Sequence, residues 1–559
     1  MFEKQIRHIQ RYRDIVIAFS RYGFGFLAME LGLHDLLSLP KRMFMKSSKQ
    51  NRTKTTGERV RLFMEELGPT FVKLGQFAST RSDILPSDII IELEKLQDHV
   101  PPFPTRDVRN IIEDELGEPI DNAFSEFQES PLAAASIGQV HRAVLTSGEA
   151  VAIKIQRPNI KDKIRTDLEI LKDIAILAEK RLEWAARYHV KDIIDEFAKS
   201  LLAELDYRNE GRNAERISKQ FNGKKKIYVP KVYWGQTTEK VLTMEFVEGI
   251  KLHDKNELMN KGYNPSILAE RVVKAMFHQI FIEGFFHGDP HPGNILALPE
   301  EKVVFVDFGL VGRVTSEMKG HLSMFVIALM RQNTDGMIKA INRMGMIPDD
   351  VDMQELRSDV ELLREKYYDV PLSQVSLGES VNDLFSVAYR HHIRIPADLT
   401  LLGKTLLTIE GIVEKLDPEL SIIKLAEPFG RELLKERFHP KNVADKAFKD
   451  LSEYGEMLSE LPKNIQDLKS VIKKGKVRLE ISMPKLDESL RKLDRISNRL
   501  SFSIVLLSFS IIMTGLIIGS ALVSQSTPLW DIPVIELGFI VAILMFLWIL
   551  FAIFRSGWF

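Results

Sequence analysis

The sequence predicts an α+β protein of two lobes, with a helical extension on its N-terminal side and a hairpin of two membrane-spanning helices near its C-terminal end. Strand-like alternation is confined to a patch around Ala150 and another from Lys226 to Phe246, and helical periodicity dominates elsewhere. Two long apolar runs stand close to the end of the chain, and 559 residues exceed what one compact domain holds. The expected organisation is an N-terminal helix and basic linker over 1–60, a helical extension over 61–130, a small mixed lobe over 131–249, a larger helical lobe over 250–434, a charged helical stalk over 435–500 and the hairpin over 501–555.

Composition narrows the classes. Hydrophobic residues at 45% and charged ones at 27% describe a globular chain rather than a disordered one. A formal net charge of −1 gives no global reason to bind nucleic acid. The absence of cysteine excludes disulfides, thiolate metal sites and cysteine nucleophiles. The opening residues have no short apolar core followed by a small-residue cleavage site, so no secretory signal is expected.

From the N-terminal side, residues 14–37 are apolar-rich and suit either a core helix or a membrane-surface helix. The stretch from Lys41 to Arg61 is basic, fit to be a solvated linker or to touch anionic headgroups. At the other end, Phe502 to Val523 and Ile532 to Phe554 each exceed the roughly 20 residues that cross a bilayer as a helix. Arg491, Lys492, Arg495 and Arg499 precede the first run and Arg555 follows the second, while the turn between them has no Lys or Arg. Positive residues favour the cytoplasmic side, so the expectation is a multi-pass protein of the cell (inner) membrane with the roughly 500 residues ahead of the hairpin in the cytoplasm. Gly515 and Gly519 form a small-xxx-small pair that could pack the two spans or join two protomers as a homodimer.

The chemistry lies in the middle. Val151-Ala152-Ile153-Lys154-Ile155 alternates as a strand, with Lys154 on the face opposite Val151, Ile153 and Ile155, and matches the kinase lysine motif that reaches the α- and β-phosphates of a nucleotide. Downstream stand His287-Gly288-Asp289-Pro290-His291-Pro292-Gly293-Asn294 and, after an apolar strand, Asp307-Phe308-Gly309. Asp289 and Asn294 have kinase catalytic-loop spacing. Asp307 and Asn294 are therefore the natural Mg²⁺ ligands, and Asp289 would orient or deprotonate an attacking hydroxyl or water. His287 and His291 read as structural loop residues, since no further His/Cys cluster accompanies them. A small mixed lobe followed by a helical one, carrying these motifs in order, predicts a protein-kinase-like fold. The carboxylate partner of Lys154 is open: Glu204, Asp206 and Glu210 all follow on what reads as one long helix, where Asp206 and Glu210 would share a face.

Three alanines, Ala133, Ala134 and Ala135, followed by Ser136, stand where a kinase has a glycine-rich loop. Together with Lys73-Leu74-Gly75-Gln76, Glu204-Leu205-Asp206 and the motifs above, they make the chain resemble the UbiB-type atypical kinase family of coenzyme Q biosynthesis, over roughly residues 60–430. The resemblance implies that the Lys73–Gln76 helix folds over the active site, so that Lys73, Gly75 and Gln76 are regulatory together with Asp206 and Glu210. It implies that Glu204 pairs with Lys154 and shares its catalytic role, with Glu210 also in the site. It places the nucleotide, ATP or ADP, against Ala133 to Ser136, Val140, Lys154, Glu245 and Val247. It also implies ATPase or kinase activity in isoprenoid quinone production or lipid handling, with membrane lipids, quinone precursors and quinone-biosynthesis proteins as partners. The His-Gly-Asp loop lacks the Arg that grips an activation-loop phosphate, and no Ala-Pro-Glu follows Gly309, which argues against a regulated protein kinase. Three functions are expected in order: a membrane ATPase or atypical kinase supporting quinone synthesis, a phosphotransferase to a lipid or small-molecule hydroxyl, and a nucleotide-gated scaffold.

Overall fold

The computed structural model describes residues 2–33, 53–96, 101–348, 351–367 and 376–429, except 332 and 345, together with short stretches within 503–518 and 540–547. The expected stalk, 435–500, and most of the expected hairpin, 501–555, lie outside the described residues. The chain divides into two units, Met1–Ala447 and Phe448–Phe559.

The first unit opens with helices α1 (Phe2–Arg21), α2 (Gly25–Glu30), α3 (Thr56–Leu67), α4 (Pro69–Ala78) and α5 (Ser87–Leu93). Of the two readings of residues 14–37, the core helix describes α1: Ile15 and Val16 are fully buried. Thr55 and Glu58 build a capping box that starts α3, the hydroxyl accepting from the Glu58 amide and the carboxylate from the Thr55 amide. Gly68, at φ 89°, turns the chain from α3 into α4, which Pro69 then opens.

Helices α6 (Thr105–Leu116) and α7 (Ile120–Ala123) lead into the small lobe. Its antiparallel sheet contains β1 (Phe124–Phe127), β2 (Ala133–Ala134), β3 (Gly138–Leu145) and β4 (Ala150–Gln156). A fifth strand arrives only after a helical insertion of α8 (Ile160–Arg181), α9 (Glu183–Tyr188), α10 (Val190–Glu204) and α11 (Tyr207–Gln220). Past the short β5 (Ile227–Tyr228), β6 (Val241–Glu245) pairs with β4 and completes the order β1-β3-β4-β6. The sheet thus begins at Phe124, ahead of the expected lobe boundary at 131. Val151, Ile153 and Ile155 are fully buried with Val108 and Ile112 of α6 in one apolar cluster, as the alternation of β4 requires.

The large lobe holds β7 (Ile250–Lys251), α12 (Lys255–Asn260), α13 (Pro265–Phe277), β8 (Phe285–His287), β9 (Ile295–Leu298), β10 (Lys302–Phe305) and β11 (Val311–Arg313). Further helices follow, among them α14 (Ser316–Met330), α15 (Thr334–Arg343), α16 (Met353–Lys366), α17 (Leu377–Arg390) and α18 (Ala397–Leu416). Strands β9 and β10 form an antiparallel hairpin with Ile295 opposite Phe305, and β8 pairs with β11. This brings the residues after His287, before Ile295 and after Phe305 to one place.

In the second unit Phe509 stacks on Phe546 with ring centroids 4.4 Å apart. Ile504, Leu507, Ile511, Ile540, Leu544 and Leu547 are exposed. Among the described residues no helix is long and apolar enough to cross a membrane.

Candidate active site

Lys154 reaches the site from the middle of β4. Its ammonium lies 2.8 and 3.1 Å from the two carboxylate oxygens of Glu210 and 3.7 Å from Asp307 Oδ1. Burial alone would lower the lysine's proton affinity. Asp307 and then Glu210 outweigh it, and Lys154 is held protonated well above its usual range. Asp307 is held below the usual carboxylate range, chiefly by Lys154 and further by Lys73. Burial raises the Glu210 carboxyl against the pull of Lys154, so Glu210 is the weaker acid of the two.

The partner is therefore Glu210, and not Glu204 as the resemblance implies. The physical reason is a break in the helix. Glu204 ends α10, while Asp206 leaves helical geometry at φ −106° and ψ 96° and N-caps α11 by accepting from the Arg208 amide. The expectation of one continuous helix with Asp206 and Glu210 on a shared face fails for the same reason. Glu210 falls in the first turn of α11 under Lys154, whereas Asp206 points to the Arg208 guanidinium at 2.8 and 2.9 Å. Glu204 instead makes a 2.7 Å ion pair with Lys73 of α4.

Lys73 thus brings the N-terminal extension to the edge of the site. Gly75 is buried, and a Cβ there would stand 2.2 Å from Leu96 Cδ1, so glycine permits the approach of α4 to the segment after α5. Gln76 donates to the Leu96 carbonyl at 3.2 Å, closing the same contact.

The alanine loop forms the roof. Ala133 and Ala134 pair with Val140 and Gln139 across β2 and β3, and the Ala135 amide donates to the Gly138 carbonyl. Arg157 donates to the Ala135 carbonyl at 3.0 Å. A Cβ on Gly138 would lie 2.4 Å from the Tyr207 hydroxyl and 2.6 Å from the Ile155 carbonyl oxygen. Ser136 and Tyr207 are fully buried, and neither hydroxyl has a hydrogen-bond partner among the described residues. Glu245, at the end of β6, accepts from the Tyr228 hydroxyl and from the Lys231 amide, and Val247 follows half-buried in the link to the large lobe.

On the floor, His287 is fully buried. Its Nδ1 accepts from the Asp289 amide at 3.1 Å and its Nε2 donates to the Val306 carbonyl at 3.2 Å. Burial lowers its proton affinity, which matches the single ring proton this pairing needs. Asn294 donates from Nδ2 to the Asp289 carbonyl at 3.2 Å, and its own carbonyl accepts from the Val306 amide at 3.0 Å. That second bond sets Asn294 beside the strand leading to Asp307. Asp307 adopts φ +61°, a conformation rare outside glycine and often kept where function needs it.

The side-chain oxygen of Asn294 and a half-exposed, ionised Asp307 suit Mg²⁺, which takes one or two protein oxygens and completes its shell with phosphates and water. Among the described residues no cluster of three or more His, Cys, Asp or Glu could hold a metal by itself.

Sequence reasoning missed Tyr207 and Asn213. The Tyr207 ring lies beneath the Lys154 ammonium, 5.3 Å from its centroid, and Asn213 donates to the Phe308 carbonyl at 3.1 Å. The signal was present: Glu210 and Asn213 are polar residues interleaved with the buried Tyr207, Ala214 and Ile217 of α11.

Comparison with known proteins places this geometry. Residues 95–341 match the ABC1 atypical kinase-like domain, 360–421 the UbiB helical domain and 484–555 the ABC1/UbiB kinase-like C-terminal domain. A protein from the hydrogenase 1 5′ region of Clostridium pasteurianum is 33% identical over 98% of this chain and 99% of its own length. An uncharacterised Synechocystis protein is 35% identical over 77% of this chain and 74% of its own. The "Probable protein kinase UbiB" of Azotobacter vinelandii is 37% identical over 69% and 73%. With the lysine–glutamate pair, the alanine roof and the His-Gly-Asp floor in one cleft, and with these matches along its length, the chain belongs to the ABC1/UbiB family of atypical kinase-like proteins.

Proposed function

We propose that this protein is a membrane-anchored atypical kinase or ATPase that uses Mg-ATP in support of ubiquinone-type quinone biosynthesis or membrane lipid handling. The observation that carries the reading is the Lys154–Glu210 ion pair set 3.7 Å from Asp307, an arrangement that fixes an ammonium where phosphates would lie. Glu210 orients that ammonium, and Asp307 with Asn294 would hold Mg²⁺, which when bound neutralises charge on the phosphates. Asp289, its amide fixed by His287 and its carbonyl by Asn294, directs the hydroxyl or water. The nucleotide base would meet the segment from Glu245 to Val247, and its phosphates Ala133 to Ser136 and Val140. The contact of Lys73 with Glu204 supports a regulatory part for the Lys73–Gln76 helix and bears on the room left for a protein acceptor.

The quinone assignment rests on UbiB-named relatives. Anchoring rests on the two apolar runs, whose described residues put Phe509 against Phe546 and leave Ile504, Leu507, Ile511, Leu544 and Leu547 facing outward. The proposed membrane is the bacterial inner one, with the catalytic unit on the cytoplasmic side.

The test follows the γ-phosphate of labelled ATP, with purified protein in liposomes of native lipid extract and Asp307→Asn as control. Label released as free phosphate only by the wild type supports an ATPase, and label on a lipid or protein supports a phosphotransferase. Equal turnover by both proteins contradicts the proposal.

A further inference from the structure

Helix α18 packs one face against the catalytic loop. Leu401, Lys404 and Thr405 lie on that face at i, i+3 and i+4. Thr405 donates its buried hydroxyl to the Gly288 carbonyl at 3.2 Å, one residue before Asp289. A Cβ on Gly288 would come 2.9 Å from Leu401 Cδ2, so loop and helix are in close contact. Between these two anchors stands Lys404, half-buried, its ammonium donating to Ser79 Oγ at 3.3 Å. Ser79 itself donates to the Gln76 carbonyl at 2.8 Å at the C-terminal end of α4. One ammonium therefore sits where the catalytic loop, α18 and the end of the Lys73–Gln76 helix meet.

Its charge balance is unlike that of the other two lysines of the site. Lys154 has Glu210 and Asp307, and Lys73 has Glu204. Among the described residues Lys404 has no carboxylate within 4 Å; its hydrogen-bond partner is a neutral hydroxyl. The other polar contacts of α18 have plain structural roles: Glu410, for instance, accepts from Ser376 Oγ and the Leu377 amide at the start of α17. Residues 287–294 contain no Lys or Arg. His291 does not take that place: its Nδ1 is engaged within the loop, accepting from the Gly293 amide at 3.1 Å. An ammonium that is partly desolvated without a counter-charge gains most from an incoming dianion.

We propose that Lys404 is an anion-binding residue of the active site, which receives a phosphate group beside Asp289 and exchanges Ser79 for it. The ligand chemistry is a phosphate dianion, arriving either as the terminal phosphate of the nucleotide, and so as inorganic phosphate after turnover, or as a phosphomonoester on an acceptor. The inference deepens the Mg-nucleotide reading and rests on it. The competing account is that Lys404 merely caps the C-terminal end of α4, where a cation is favoured.

The experiment measures the thermal midpoint of the full-length protein in detergent. Inorganic phosphate or phenyl phosphate is titrated with and without Mg-ADP, into wild type, Lys404→Ala, Lys404→Arg and Ser79→Ala. The expected result is a phosphate-dependent rise in midpoint that weakens about tenfold or more in apparent affinity in Lys404→Ala, is largely kept in Lys404→Arg, and is unchanged in Ser79→Ala. Ser79→Ala removes the α4 tie but leaves the ammonium, so capping and anion binding separate. A response to inorganic phosphate alone assigns the site to the nucleotide's terminal phosphate, and a response to both anions assigns it to a phosphorylated acceptor. If Lys404→Ala responds to phosphate as the wild type does, or if neither anion shifts any of the proteins, the inference is overturned. The midpoint shift by Mg-ADP alone reads the nucleotide site separately, so its absence counts against the proposed function and not against Lys404.

Discussion

At the scale of single residues, the division of labour between two glutamates is the sharpest outcome. Glu210 holds Lys154, and Glu204 holds Lys73. Glu210→Gln should therefore lower ATP turnover by about 10- to 100-fold, the loss expected for a charge-assisted hydrogen bond to the phosphate-binding lysine. Glu204→Gln should leave the Lys154 pair standing and instead loosen α4, read as faster proteolysis within residues 70–96. Equal losses of turnover would contradict this assignment. His287 gives a pH dependence. Its ring binds a proton less readily in the folded chain than at the ordinary histidine value of 6.5, so the neutral form contributes stability that is complete above that pH and is lost as the pH falls below it. His287→Asn should accordingly lose less stability than the wild type between 6.5 and about pH 5, measured by urea unfolding at each pH. Lys154, Asp289, Asn294 and Asp307 were legible because each belongs to a short motif whose spacing the chemistry dictates. The choice among Glu204, Asp206 and Glu210 was not, because it turns on whether the helix continues through Asp206. An aspartate followed by a favourable first turn caps a new helix as readily as it continues an old one.

At the scale of elements, glycine and cap positions decide how the site is assembled. Gly138 lets β3 run against Tyr207 and the Ile155 carbonyl, and the carbonyl belongs to a strand ladder that cannot retreat. Gly138→Ala should therefore damage the roof more than Gly75→Ala, where the obstructing atom is the end of the Leu96 side chain. Comparing nucleotide affinity and thermal midpoint of the two variants tests the order. Asp206→Ala should cost about 1 kcal/mol through loss of the α11 cap and should weaken nucleotide binding indirectly, since α11 carries Glu210 and Asn213. Elements with strong periodicity, such as β4 and the helices from 160 to 220, were readable from sequence. Strand β1 was not, because four residues with the burial of two reversed by exposed Ser125 and Glu126 carry little pattern.

At the scale of the whole molecule, the N-terminal extension packs as part of the kinase-like body. Arg11 of α1 grips both oxygens of the fully buried Asp167 on α8 at 2.6 and 3.0 Å, and Thr70 at the start of α4 donates to the same carboxylate at 2.6 Å. Arg11→Ala would strand that buried carboxylate and should cost about 3–5 kcal/mol of stability by denaturant titration. No local pattern announces such a long-range triad, since its members lie 97 and 156 residues apart. The kinase-like fold of mixed helix and sheet was nonetheless foreseeable from periodicity and motif order. The central claim is that the cleft lined by Lys154, Glu210, Asn294 and Asp307 is a Mg-nucleotide site. Calorimetric titration of Mg-ATP into the full-length protein tests it most directly, with Asp307→Asn and Lys154→Ala beside the wild type. Binding by the wild type that requires Mg²⁺ and falls in both variants is the predicted result, and binding that is absent, or indifferent to the metal and to both substitutions, would contradict it.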